Sequence, residues 1–87
     1  GTNAILPSKS SGILRDGIVS FSLAQNLVII KCYNGMANAV CAALDAARLP
    51  EIIGTIAGDD TIFIATASGE SAVMLKEDMQ KLISVGK

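Results

Sequence analysis

The sequence contains no histidine and no tryptophan, and its aromatic content stops at one tyrosine and two phenylalanines. Without histidine there is no Ser/His/Asp or Cys/His catalysis and no His-based metal site. Charge is scarce too: 17% of residues are charged, against about 25% in an average chain. Seven basic and eight acidic side chains leave a net charge of -1 and a pI near 5.1. With no basic run, the chain is not expected to hold nucleic acid by itself. No apolar run approaches the ~20 residues needed to cross a bilayer, and nothing at the start reads as a signal peptide. Cys32 and Cys41 lack CxxC spacing and sit in apolar stretches. They read as buried free thiols of a cytoplasmic protein rather than as a disulfide.

What the sequence has in excess is apolar side chain. Hydrophobic residues make up 51% without counting eight glycines, whereas an average chain reaches about 45–50% with glycine included. Eighty-seven residues leave room for one domain, and so small a domain hides only roughly 60% of the surface its unfolded chain exposes. The surplus is therefore expected to be buried against something else, most simply copies of the same chain.

Gly1 to Ser10 are small and polar with Pro7 inside; residues 1–12 read as a linker or expression remnant, and 13–87 as the domain. Ile13 to Leu23 puts Val19, Phe21 and Leu23 on one face and Ile18, Ser20 and Ser22 on the other. That period of two predicts a half-buried strand. After the break Ala24-Gln25-Asn26, Leu27 to Cys32 predicts a second, more deeply buried strand, joined to the first as a hairpin. Tyr33-Asn34-Gly35 signals a turn into a helix from about Met36 to Leu49, where Met36, Val40, Ala43, Leu44 and Ala47 form one apolar stripe and Pro50 forbids continuation. Ile52 to Ala57 and Thr61 to Thr66 predict two more strands around the tight turn Gly58-Asp59-Asp60. Ser68 caps a last helix with Glu70 in its first turn, and Ala72, Leu75, Met79, Leu82 and Ile83 make its buried face. The order ββαββα predicts an α+β fold: a two-layer sandwich of a four-stranded antiparallel sheet with two helices on one face. An oligomer would cover the open face.

The segment richest in chemistry is the turn. Gly58 and the aspartates suit a tight bend, but adjacent carboxylates repel each other, and a cation beside them explains the pair better. On the first predicted helix, Asn38 and Asp45 are seven residues apart and fall within roughly 20° of one another at about 100° per residue. They point nearly opposite the apolar stripe, among the small residues Ala39, Cys41, Ala42 and Ala46. Asp59, Asp60 and Asp45 could pair with an ammonium or, better, a guanidinium, whose fork makes two parallel hydrogen bonds to a carboxylate. A divalent metal is the alternative, with a thin ligand set. The triplet Gly58-Asp59-Asp60 also resembles the metal-binding hairpin of RNA-directed polymerases, but this chain is too short for a polymerase palm. No nucleophile stands beside a plausible base, so no catalytic residue is assigned.

The run Gly54-Thr55-Ile56-Ala57-Gly58-Asp59-Asp60-Thr61-Ile62 resembles the signature of the C-terminal domain of bacterial arginine repressors. Asn34-Gly35-Met36-Ala37-Asn38, with Asp45 seven residues after Asn38, is similar in spacing to that family's helix, and the resemblance covers roughly residues 13 to 85. The family commonly carries Gln or His at the position of Asn38, and Pro at that of Asn34. The resemblance implies a non-enzymatic, cytoplasmic domain that trimerises and, with L-arginine bound between trimers, stacks two trimers into a hexamer. By position, Asp59 would take the guanidinium beside Asp60, and Asn38 and Asp45 the α-amino and carboxylate end, with Thr55 and Ala57 near the pocket. No cofactor is implied beyond arginine as co-repressor. The family's N-terminal winged-helix domain is missing from this sequence, so operator DNA of arginine-metabolism genes would be bound only by the intact protein.

Overall fold

A computed structural model describes residues 8–84. The elements run α1 (Ser8–Gly17), β1 (Ile18–Ala24), β2 (Leu27–Cys32), α2 (Ala37–Ala47), β3 (Gly54–Ala57), β4 (Thr61–Ala65) and α3 (Gly69–Ser84). The four strands form one antiparallel sheet in the order β1-β2-β4-β3. The fold is α+β with the expected sheet, but with three helices rather than two.

Register decides which side of the sheet is core. Val28 pairs with Leu23 and Ile64, and Ile30 with Phe21 and Ile62. Directly paired residues of antiparallel strands share a face, so this row faces the helices, with Val28, Ile30, Ile62 and Ile64 fully buried. α2 covers β2, β4 and β3, α3 covers β1 and β2, and α1 packs against both helices. Val40, Ala43, Leu44 and Ala47 of α2 and Ala72, Leu75 and Met79 of α3 are buried, as their helical spacing predicts. Ser68 caps α3: the Ser71 N–H donates to its Oγ at 3.0 Å. No helix among the described residues is long and apolar enough to cross a membrane.

The first part of the chain departs from the sequence reading. Residues 13–17, expected in a strand, are helical, and α1 starts at Ser8, inside the stretch read as linker; residues 1–7 lie outside the described residues. Serine and glycine are poor helix formers, so this helix depends on packing, with Leu14 fully buried in the core. A bulge between Ile18 and Ser20 then shifts the register of β1. Ile18 turns inward with Phe21 on the core side, while Val19, expected beside Phe21, is 54% exposed. The third strand begins at Gly54 instead of Ile52, although the Ile53 N–H already donates to the Ala65 carbonyl at 2.9 Å.

Gly17 closes α1 against α2. A Cβ there would lie 2.6 Å from Val40 Cγ2 and 3.2 Å from Met36 Cε. Valine in a helix has one strongly preferred rotamer, so the helices must separate to admit it. Gly17→Ala is expected to cost about 1–3 kcal/mol as overpacking, read as a lower thermal midpoint at fixed protein concentration. An unchanged midpoint would show that α1 can back away freely.

Candidate ligand groove

α2 is launched by a turn in which the Met36 N–H donates to the Tyr33 carbonyl at 3.0 Å, with Gly35 at φ 79° in the third position. That conformation favours glycine. The next N–H, of Ala37, donates to the backbone carbonyl of Asp59 at 3.2 Å. The β3–β4 hairpin tip is thereby tied to the first turn of α2, the end that carries the positive pole of the helix dipole. Asn38, exposed, is the following residue.

β3 is an edge strand, and α2 runs beside it. Asn38, Cys41 and Asp45 follow one another at spacings of three and four, which keeps them on one side of α2, and Arg48 follows at its C-terminal end. Midway, the Cys41 thiol donates to Thr55 Oγ1 at 3.1 Å. Near the C-terminal end, Asp45, Arg48 and Thr55 line a cavity of about 350 Å³ floored by Leu44, Leu49 and Ile52. A groove therefore follows the α2–β3 edge, with Asn38 and the Asp59 backbone at one end and Asp45 at the other. The helical rise of 1.5 Å per residue puts Asn38 and Asp45 about 10 Å apart along the axis. Ala57 lies on the core side, opposite Ile62.

The acidic pair divides. Asp60 Oδ1 accepts from the Thr61 hydroxyl at 2.8 Å, Oδ2 lies 3.6 Å from Lys31 Nζ, and Nζ donates to Thr61 Oγ1 at 3.0 Å. The Thr61 hydroxyl first, then the Lys31 ammonium, hold the Asp60 carboxyl below its ordinary value. Asp59 is exposed, and its carboxylate makes no hydrogen bond or ion pair among the described residues. Among those residues no three His, Cys, Asp or Glu side chains gather for a metal.

Lys31→Met is expected to raise the Asp60 carboxyl part of the way toward 3.8, because the larger influence, the Thr61 hydroxyl, stays in place. A carboxyl lowered by folding stabilises the fold above its unfolded value near 3.8 and loses that effect as pH falls through its folded value. An NMR titration of Asp60 in both proteins checks the shift and its sign.

Both cysteines are free. Cys32 is buried, and burial first, then the Asp60 carboxylate, pushes its thiol up. Cys41, placed outward among small residues by the helical wheel, is half-buried against β3 instead. Sequence reasoning also passed over Arg48; its only signal was a position three residues after Asp45.

The fold and groove define a small two-layer α+β domain with an edge site between a helix and a short strand. Within that class, the chain belongs to the arginine repressor family, as its C-terminal domain. Residues 14–81 match the family described as "Arginine repressor, C-terminal domain". An arginine repressor from Lachnoclostridium phytofermentans is 49% identical over 75 residues, covering 86% of this chain and 49% of that protein. One from Caldicellulosiruptor bescii is 42% identical over 87 residues, covering 100% of this chain and 57% of that protein. One from Koribacter versatilis is 42% identical over 81 residues, covering 93% and 54%. The chain spans about half the length of the curated relatives it matches.

Proposed function

We propose that this chain is the arginine-sensing and self-associating part of a cytoplasmic transcriptional repressor. The observation that carries the reading is the exposed Asp59 carboxylate, unanswered among the described residues, on a hairpin tip fixed by its own backbone to α2. A fixed, unpaired carboxylate suits a guanidinium, which it can bind through two parallel charge-assisted hydrogen bonds. Asp60, already held by Lys31 and Thr61, assists from beside it. Asp45, at the far end of the groove, holds the α-amino end, Asn38 reaches the ligand on the Asp59 side, and Thr55 and Ala57 shape the pocket wall. No step of chemistry is involved.

Three copies associate through the uncovered sheet face, and two trimers close on arginine to form a hexamer. A ligand bound only in the assembled state favours that state by about 2.7 kcal/mol at one hundred times its dissociation constant. DNA contact is assigned to the portion of the family's proteins outside this chain, whose copies the hexamer brings together. Sedimentation velocity on protein freed of bound arginine tests ligand and assembly at once. Arginine is expected to shift the boundary from trimer to hexamer, and no shift at millimolar arginine would overturn the reading.

A further inference from the structure

Arg48 ends α2 in the left-handed conformation, at φ 51° and ψ 49°, with its N–H donating to the Asp45 carbonyl. Glycine takes that position at least cost, and a side chain held there carries strain of the kind that gathers at ligand clamps. Arg48 and Asp45 line the same cavity, which at about 350 Å³ is roomy enough for an amino acid. Only Ala46 and Ala47 separate them in the chain. Yet neither charge makes an ion pair or a side-chain hydrogen bond among the described residues. An acid and a base side by side, each unanswered, match a ligand that carries both charges on one carbon.

We propose that Arg48 is a specificity-determining residue that binds the α-carboxylate of an α-amino acid whose ammonium pairs with Asp45. This rests on the arginine-sensing reading and deepens it. The groove then reads both ends of its ligand, and arginine is separated from its decarboxylated amine by the Arg48 guanidinium. Arginine forks pair with carboxylates in two parallel bonds, so lysine at this position would bind the same group less well.

The test is calorimetry with L-arginine and with agmatine, which has the guanidinium and an amine but no carboxylate. Wild type is expected to prefer arginine by about tenfold or more, the range of one charge-assisted hydrogen bond. Arg48→Gln is expected to erase that preference by weakening arginine while leaving agmatine unchanged, and Arg48→Lys to keep part of it. Glutamine already holds a positive φ of 60° at Gln25 in this chain, so the backbone tolerates the change. Arg48→Gly, easiest of all for that backbone, should lose the same preference without a lower thermal midpoint. If Arg48→Gln keeps the arginine preference, or wild type shows none, the carboxylate is not read by Arg48 and the proposal falls. If wild type binds neither compound, the arginine reading fails and takes this proposal with it.

Discussion

Asp59→Asn is expected to abolish arginine binding and leave the fold standing. The hydrogen bond that ties the hairpin to α2 is made by the Asp59 backbone carbonyl, which the substitution does not touch. The side chain is exposed and unpartnered among the described residues, and substitutions of that kind usually stay within about ±0.5 kcal/mol. Binding is another matter. Removing one member of a hydrogen-bonded charge pair costs about 2–5 kcal/mol, roughly thirty- to several-thousand-fold in affinity. Asp60→Asn is the internal control: its carboxylate is already shared with Lys31 and Thr61, and solvent-exposed ion pairs of that sort contribute little. It should weaken arginine far less. Citrulline, with the shape of arginine but no positive charge, should bind wild type as poorly as arginine binds Asp59→Asn. Unchanged arginine affinity in the Asp59 variant, measured by calorimetry, would remove the residue from the site.

The acidic pair shows how far a sequence can be followed. Two adjacent aspartates at a turn imply a nearby cation, and that inference is right for Asp60, but the cation is Lys31 of the same chain. Lys31 pairs with Thr61 across β2 and β4, a relation set by strand register between segments 30 residues apart. Nothing local reveals it. Only with Lys31 given to Asp60 does Asp59 stand out as the carboxylate left over. Asn38 and Asp45 were legible because helical periodicity fixes relative direction. Cys41 was not, since what it faces depends on where edge strand β3 passes.

The same contrast runs through the fold. β2, β4, α2 and α3 carry strong periodicity and turn or cap signals, and they form where those signals place them. α1 carries serines and two glycines and is held by burial of Leu14, a tertiary effect that outweighs weak propensity. The bulge in β1 inserts a single residue, enough to turn every later side chain to the opposite face. A period-of-two reading across that point joins two registers, and so it put Val19 with Phe21.

The second large effect is expected on the bare side of the sheet. Ile29 and Ile56 pair with Phe63 from either side, forming one row on the face away from the helices. Ile56 is 77% exposed and Phe63 49%. Exposed apolar side chains in a continuous row mark an association surface, and this row carries part of the apolar excess of the composition. Phe63→Glu is expected to convert the proposed trimer to monomer. A buried carboxylate without a partner costs several kcal/mol, and a symmetric trimer would bury three. The fold should survive, because Phe63 points away from the core formed by Ile62 and Ile64. Arginine binding should fall with it, since a ligand held between assembled subunits loses its site when they part. Val73→Glu on α3 gives the comparison: Val73 is 42% exposed, nearly as much as Phe63, but lies on a helix rather than on the open face. It should leave both trimer and arginine response intact. A trimer that survives Phe63→Glu, or one that Val73→Glu disrupts equally, would place the interface elsewhere.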